Sequence, residues 1–140
     1  MKILVPVDGS DYSMKAVESA CDLAKAQPFS ALILMSVGIE LPELEEGRYI
    51  ADKMKVQAEA ALAKAKELAA GKEPRVKVDT VLATGASPAE EIVRVAKDEK
   101  VDLIVIGSRG LAGKTSSFLG STASKVVTYS PCSVLVVKSD

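Results

Sequence analysis

The sequence contains no histidine and no tryptophan, and only two cysteines, three tyrosines and two phenylalanines among 140 residues. Because histidine is the usual general base near neutral pH, its absence excludes Ser-His and Cys-His catalytic arrangements. Two cysteines without metal-ligand spacing argue against a zinc site. The shortage of aromatic rings disfavours a flavin-binding redox carrier. Hydrolytic triads and zinc chemistry are therefore not expected.

The sequence also lacks a strong net charge and long hydrophobic runs. A net charge of −1 provides no basic field to attract nucleic acid, so an anion site would have to be local. The apolar runs are far shorter than the ~20 residues of a membrane span, and Met1–Pro6 breaks too early for a signal peptide. We expect one cytoplasmic domain over residues 1–140, binding neither nucleic acid nor membrane. Cys21 and Cys132 lie in apolar patterns and are expected to be buried thiols.

Short apolar runs alternate with helical patterns along the chain. Such alternation is typical of an α/β fold, in which right-handed crossovers place helices on both faces of a mainly parallel sheet. We therefore predict a three-layer sandwich. The predicted strands are Lys2–Val7, Ala31–Val37, Val76–Leu82, Asp102–Ile106 and Ser133–Lys138.

Acidic residues are absent from Gly107 to Ser139, although 18 of the 19 acids lie between Asp8 and Asp102. The first part of this stretch, residues 107–122, holds four glycines, six hydroxyl side chains and two cations. Glycines let backbone N–H groups approach an anion, and hydroxyls donate to phosphate oxygens. A flexible surface loop rich in turn formers would have a similar composition, and the composition alone does not decide between the two.

Two helix starts differ in their charge. Ser87, Pro88 and Glu90 form the pattern of a capping box at the start of the third helix. The fourth helix is predicted to begin near residues 120–122 with no acid in its first turn, so no side chain of the sequence neutralises its positive dipole end. A phosphate is expected to take that role.

Ligands of open α/β sheets bind beyond the carboxyl ends of the strands, where the strand order reverses. The turns that follow the first and fourth strands, at Asp8 and Gly107, are the candidates for that position. Two familiar phosphate-binding patterns fail there. A P-loop ending in residues 113–115 needs glycine where Ser108 stands, and a dinucleotide fingerprint after the first strand finds a single glycine, Gly9, beside acids.

The spacing Gly107-x2-Gly110-x9-Gly120-Ser121 instead resembles the nucleotide-binding motif of the universal stress protein family, in the subgroup that binds ATP. Residues 3–10 (ILVPVDGS) look like the first strand and turn of that family, and residues 130–137 (SPCSVLVV) look like its last strand. The resemblance thus covers essentially the whole chain. It implies a five-stranded parallel sheet in the order 3-2-1-4-5, an adenine nucleotide alpha hydrolase-like fold, with the first and fourth strands adjacent.

By position, the resemblance also implies a binding site for an adenine nucleotide, with ATP carrying Mg or Mn on its phosphates. Its predicted residues are Pro6, Val7, Asp8, Val37, Ile106, Gly107, Arg109, Gly110, Gly120, Ser121 and Thr122. Asp8 would accept a hydrogen bond from the exocyclic amine of adenine and would repel the carbonyl of guanine. Pro6 and Val37 would pack on the ring, whereas Gly110, Gly120 and the two hydroxyls would hold the phosphates.

Several of these assignments have structural alternatives. Asp8 is also a typical turn-forming or capping residue, and Ser121 a typical N-cap; we expect Ser121 to serve as cap and phosphate donor together. Arg109 and Lys114 are loop cations of a kind common on surfaces, and neither is needed to define the site.

The resemblance further implies a homodimer joined through the final strand, Ser133–Lys138, since an exposed apolar edge invites pairing. The alternative is an edge protected by Lys138. With no His, Glu or Gln near the predicted phosphates, we expect a nucleotide-dependent stress sensor or regulator that is at most a weak ATPase. A non-nucleotide-binding interaction module of the same fold remains the alternative, in which the glycine stretch is a connector.

Overall fold

The computed structural model describes residues 1–40, 45–110 and 119–138, and the side chains of all of these except residues 45–48. Strands and helices alternate as predicted. The elements are β1 Lys2–Pro6, α1 Asp11–Ala26, β2 Ala31–Ile39, α2 Glu45–Lys72, β3 Lys77–Gly85, α3 Pro88–Asp98, β4 Leu103–Gly107, α4 Ser121–Tyr129 and β5 Ser133–Val137.

The five strands form one parallel sheet in the order β3-β2-β1-β4-β5, which confirms the predicted fold and strand order. Side chains alternate between its two faces. Ile3 and Val5 of β1 belong to the core shared with α1 and α2, whereas Leu4 belongs to the core shared with α3 and α4. The fold therefore has three layers, with a hydrophobic core on each side of the sheet.

The second and third strands extend further than the apolar pattern predicted, to Ile39 and Gly85 rather than to Val37 and Leu82. The added residues pair across the two strands, Gly38 with Thr84 and Ile39 with Gly85. Gly38, Ala83 and Gly85 interrupt the apolar pattern and are depleted in strands, so the sequence predicted the ends too early, but their backbone still pairs with the neighbouring strand.

The central strands separate at their carboxyl ends. Strand β1 pairs with β2 over five residues but with β4 only through Ile3 and Leu4. The helix after β1 packs on one face of the sheet and the helix after β4 on the other, so a crevice opens between Pro6 and Gly107. This is the reversal point at which open α/β sheets bind ligands.

The third helix starts as its sequence predicted. The Oγ atom of Ser87 accepts from the N–H of Glu90 at 3.4 Å, and Pro88 occupies the first turn. Helix α4 has no acid in its first turn, also as predicted, and its N-cap residue makes no side-chain cap hydrogen bond.

The expectation for the cysteines is only half right. Cys21 lies in the core at 1% exposure, and this burial raises the pKa of its thiol. Cys132 is only partly buried, because it lies in the turn before the edge strand β5. Neither forms a disulfide. Within the described ranges, no helix combines the length and apolarity needed to cross a membrane.

Candidate functional site

A cavity of about 620 Å³ lies beyond the carboxyl ends of the central strands. Its volume falls within the range of small-molecule sites, roughly 300–1,000 Å³. The structure brings all of the predicted site residues to the wall of this one cavity. They are Pro6, Val7, Asp8, Val37, Ile106, Gly107, Arg109, Gly110, Gly120, Ser121 and Thr122.

The turn after β1 is held on the side of β2. The N–H of Val7 donates to the carbonyl of Met35 at 2.8 Å, which continues the ladder by one residue. The carbonyl of Val7 then accepts from the Oγ atom of Ser36 at 2.8 Å. The chain leaves the sheet at this point, and the next residue, Asp8, reaches the cavity wall.

Asp8 forms a turn with Ser10. One of its carboxylate oxygens therefore has the turn-forming role that the sequence also offered for this residue. Its Oδ1 atom accepts from the N–H of Ser10 at 2.9 Å and from the hydroxyl of Ser10 at 2.5 Å. Gly9 between them has φ +87°, a conformation that glycine adopts without the cost of a Cβ. The Oδ2 atom lies on another side, 2.6 Å from where a Cβ on Gly110 would stand.

Each glycine of the predicted motif has a close neighbour. A Cβ on Gly107 would lie 2.8 Å from the backbone of Tyr12, and one on Gly120 would lie 3.3 Å from the Cα atom of Arg109. The N–H of Gly120 donates to the carbonyl of Ser108 at 2.8 Å, which ties the start of α4 to the end of β4. The glycine spacing therefore serves close packing around the cavity.

The amino-terminal end of α4 lies at the cavity wall, where Ser121, Thr122 and Ala123 are all lining residues. The expectation that Ser121 caps this helix is wrong. The N-cap is Gly120, whose carbonyl accepts the first helical bond from Ser124 at 2.9 Å, and Ser121 is already helical. The first N–H groups of an α-helix have no partner within the helix, so this end attracts an anion.

Other cavity residues were not predicted as site residues. Three of them, Met54, Ala58 and Ile92, follow the apolar periodicity of their helices, and this periodicity does not distinguish a residue of the core from a residue of the cavity wall. For Gln57 the sequence carries no signal. The full additional set is Ser13, Met35, Ser36, Ile39, Met54, Gln57, Ala58, Pro88, Ile92, Leu119 and Ala123. Lys114 and the rest of residues 111–118 lie outside the described residues.

The electrostatics of the wall are simple. Among the described residues that line the cavity, only Asp8 and Arg109 are charged. No group of three or more His, Cys, Asp or Glu side chains gathers to hold a metal ion in the same described ranges. The wall thus offers apolar surface and one carboxylate near β1 and β2, with hydroxyls and a helix amino terminus near α4. That arrangement suits an aromatic ring with an amine at one end and an anion at the other.

Comparison with known proteins gives a consistent result. The model of the universal stress protein family matches residues 1–138. The universal stress protein YxiE of Bacillus subtilis is 40% identical, and the alignment covers 98% of this chain and 98% of that protein.

Solved structures agree with the sequence matches. The universal stress protein UspA from Lactobacillus plantarum superposes with a TM-score of 0.84 at 28% identity, over 98% of this chain and 97% of that one. A universal stress protein in complex with cAMP superposes with a TM-score of 0.74 at 28% identity, over 98% of this chain and 96% of that one.

Proposed function

Because this chain belongs to the universal stress protein family, we propose that it binds an adenine nucleotide, ATP in the first place, in the crevice between β1 and β4. One observation carries the proposal. Eleven residues implied by a family motif, from four separate parts of the chain, line a single cavity at the reversal point of the sheet. The relative that holds cAMP adds that a protein of this fold and family accommodates an adenine nucleotide.

The base is proposed to lie against β1 and β2. Pro6 and Val37 supply apolar surface for the ring, and Asp8 supplies an acceptor for its amine. Ile106 and Gly107 then face the ribose. Guanine presents a carbonyl where adenine has the amine, and a carboxylate repels it, so adenine is the preferred base.

The phosphates are proposed to lie at the start of α4. Gly110 and Gly120 allow close approach, and the hydroxyls of Ser121 and Thr122 donate together with the amides of the first helical turn, which have no partner within the helix. Arg109 lines the same cavity and adds positive charge. The described wall offers no ligand cluster for a metal, so Mg or Mn would be carried by the phosphates themselves.

We assign the protein a regulatory role in the stress response rather than rapid turnover. The described cavity residues include no histidine or glutamate, and Gln57, on α2, is the only amide side chain among them. Hydrolysis needs a group that orients or activates water at the γ-phosphate, so slow ATPase activity is the most that this wall supports. A cytoplasmic location and a homodimer formed through β5 are parts of the same proposal.

A second candidate function is an interaction module that binds no nucleotide. It is favoured by the packing of the glycines, since Gly107, Gly110 and Gly120 each have a close neighbour that explains the absence of a side chain without any ligand. The spacing of these glycines is therefore not by itself evidence of binding.

The direct test is to denature freshly purified protein and to identify released nucleotide by chromatography, alongside thermal-shift titrations with ATP and GTP in magnesium. Ligand at about 100 times its Kd stabilises the native state by about 2.7 kcal/mol, which gives a clear shift. Released adenine nucleotide, or a larger Tm rise with ATP than with GTP, supports the proposal. No nucleotide and no shift would favour the interaction module.

The variants for this test must leave the packing intact. Substitution of Gly110 or Gly120 by valine is unsuitable, because the side chain would collide with Asp8 or with the backbone of Arg109. The double variant Ser121→Ala with Thr122→Ala removes two proposed phosphate donors. Thr128→Ala, on the same helix but outside the cavity, is its control and should bind ATP as the unsubstituted protein does.

A further inference from the structure

The sequence contains two amide side chains, Gln27 and Gln57, and no asparagine. Gln27 is an exposed residue at the end of α1 and does not line the cavity, whereas Gln57 lies on α2 and belongs to the cavity wall. An amide offers a hydrogen-bond donor and an acceptor side by side, and this pair complements the edge of a nucleobase. The position of Gln57 relative to the base is therefore of interest.

Two close contacts of α2 locate Gln57 over the base end of the cavity. A Cβ on Gly38, at the end of β2, would lie 3.5 Å from the Cα atom of Lys55. A Cβ on Gly9, in the turn after β1, would lie 3.7 Å from the Cβ atom of Ala61. Between these contacts α2 rises by about 9 Å, at 1.5 Å per residue. Gln57 lies within this part of the helix, which runs from the end of β2 to the turn after β1.

The neighbours of Gln57 on the same helix face show where its side chain lies. Met54, Ala58 and Ala61 are spaced three or four residues from it or from one another, which places all four on one face. Ala58 and Ala61 are buried, at 5% and 3% exposure, and Met54 and Ala58 line the cavity together with Gln57. Gln57 itself is exposed. Its side chain therefore lies at the mouth of the cavity, where a ligand would cover it.

We propose that Gln57 is a base-binding residue, whose side-chain carbonyl accepts a hydrogen bond from the exocyclic amine of adenine. This inference rests on the proposed function and deepens it, since the base is proposed to lie against Pro6 and Val37, and Gly38 follows Val37 directly. The amine carries two N–H bonds, so it can donate to Asp8 and to Gln57 together. Helix α2 thereby contributes to base recognition, in addition to its packing on the sheet.

The experiment compares ATP with purine riboside triphosphate, which lacks the amine but retains the ring, the ribose and the phosphates. The ratio of the Kd for purine riboside triphosphate to the Kd for ATP measures the contribution of the amine to binding. Gln57→Ala should lower this ratio about threefold to tenfold, as expected for the loss of one hydrogen bond between neutral groups. Alanine is a strong helix former, so α2 should be retained. An unchanged ratio, which includes an equal loss of affinity for both ligands, overturns the inference.

Two further variants test the chemistry and the position of the amide. Gln57→Glu retains an acceptor at the same place, so its ratio should equal or exceed that of the unsubstituted protein. Gln27→Ala is the matched control, because it removes the other amide side chain, outside the cavity, and should leave both Kd values unchanged. If Gln57→Glu lowered the ratio as far as Gln57→Ala does, the side-chain carbonyl would not be the acceptor, and the inference would be wrong.

A second readout observes Gln57 directly. Because the sequence has only two amide side chains, a proton–nitrogen correlation spectrum contains two pairs of side-chain amide resonances, and Gln57→Ala identifies the pair of Gln57 by its loss. Addition of ATP should shift this pair and leave the pair of Gln27 in place. ATP binding without such a shift overturns the inference and leaves the proposed function intact. If the unsubstituted protein binds neither ATP nor purine riboside triphosphate, the proposed function fails, and the role of Gln57 fails with it.

Discussion

At the scale of single residues, the two oxygens of Asp8 have different surroundings. Oδ1 faces two donors of Ser10, whereas Oδ2 faces Gly110 at the cavity wall. In the proposed complex, the group that Asp8 presents at the cavity wall decides whether an amine or a carbonyl of the base fits beside it.

We predict that Asp8→Asn reverses this selectivity. The amide oxygen should take the position of Oδ1, where Ser10 donates, so the amide nitrogen would face the cavity and repel the amine of adenine but donate to the carbonyl of guanine. The ratio of GTP Kd to ATP Kd should fall by about tenfold to a hundredfold, as expected for 1.5–3 kcal/mol. Isothermal titration with both nucleotides measures it.

Asp11→Asn is the control for this variant. Asp11 is an exposed acid of the first turn of α1 and lies outside the cavity wall, so its loss changes the net charge equally. Its ratio should remain that of the unsubstituted protein. If the ratio of GTP Kd to ATP Kd were the same in Asp8→Asn and Asp11→Asn, Asp8 would not recognise the base.

At the scale of elements, α1 and β4 are in close contact at Gly107. A Cβ there would lie 2.8 Å from the backbone of Tyr12, and a helix backbone does not yield as a flexible side chain does. We predict that Gly107→Ala lowers the free energy of unfolding by about 1–3 kcal/mol, as overpacking does. Urea denaturation monitored by circular dichroism measures this change.

Gly71→Ala is the matched control, because Gly71 lies on α2 with nothing within 4 Å of an added Cβ. It should raise stability by up to about 0.5–1 kcal/mol through helix propensity. If both variants had the same stability, Gly107 would not limit the approach of α1.

A negative charge at the start of α4 should raise the stability of the free protein and lower its affinity for ATP. Ser121 is an exposed residue of a first turn that lacks any acid. We predict that Ser121→Asp stabilises the free protein by about 0.3–1 kcal/mol, because a negative charge there offsets the helix dipole. The same charge repels phosphate, so affinity for ATP should fall while affinity for adenosine changes little.

Ser121→Asn separates charge from shape in this test, since it has the size of aspartate without its charge. Denaturation at low ionic strength measures the free energy of unfolding, and titration with ATP and adenosine measures the two affinities. A loss of adenosine affinity equal to that of ATP would place the phosphates away from α4.

The starts of helices α3 and α4 differ in how well the sequence predicts them. The start of α3 was predictable because its signal, serine followed by proline and glutamate, is local. The cap of α4 was mispredicted, because Gly120 competes with Ser121 for that position and its bond to Ser108 is a tertiary contact. The contribution of Gln57 to the cavity depends on how α2 packs against β2 and β3, and no local sequence pattern encodes that packing.

At the scale of the whole molecule, the alternation of patterns predicted the α/β class, but periodicity did not predict the strand order. The order came from the resemblance of residues 107–121 and of both ends of the chain to one family. The described residues of these three parts lie on the neighbouring strands β1, β4 and β5 or follow them directly. Segments that are distant in sequence meet only in the folded chain. A single sequence therefore predicts such a site only when a known family motif includes residues from each of these segments.

The two edges of the sheet differ in how they are protected. On β3, Lys77 and Asp79 are exposed and charged, which is a common protection against pairing with another chain. Strand β5 has no charged residue from Ser133 to Val137, and its Leu135 is 39% exposed. The unprotected edge is therefore β5, which agrees with the proposed homodimer.

We predict that the protein sediments as a dimer at micromolar concentration and that Leu135→Lys converts it to a monomer. The substituted side chain is already exposed in the single chain, so the far-UV circular dichroism of the monomer should change little, whereas a lysine buried between two apolar edges is costly. Thr80→Lys, on the opposite edge β3, is the control and should remain a dimer. A monomeric mass for the unsubstituted protein would contradict the homodimer, and a dimer retained in Leu135→Lys would place the interface on another surface.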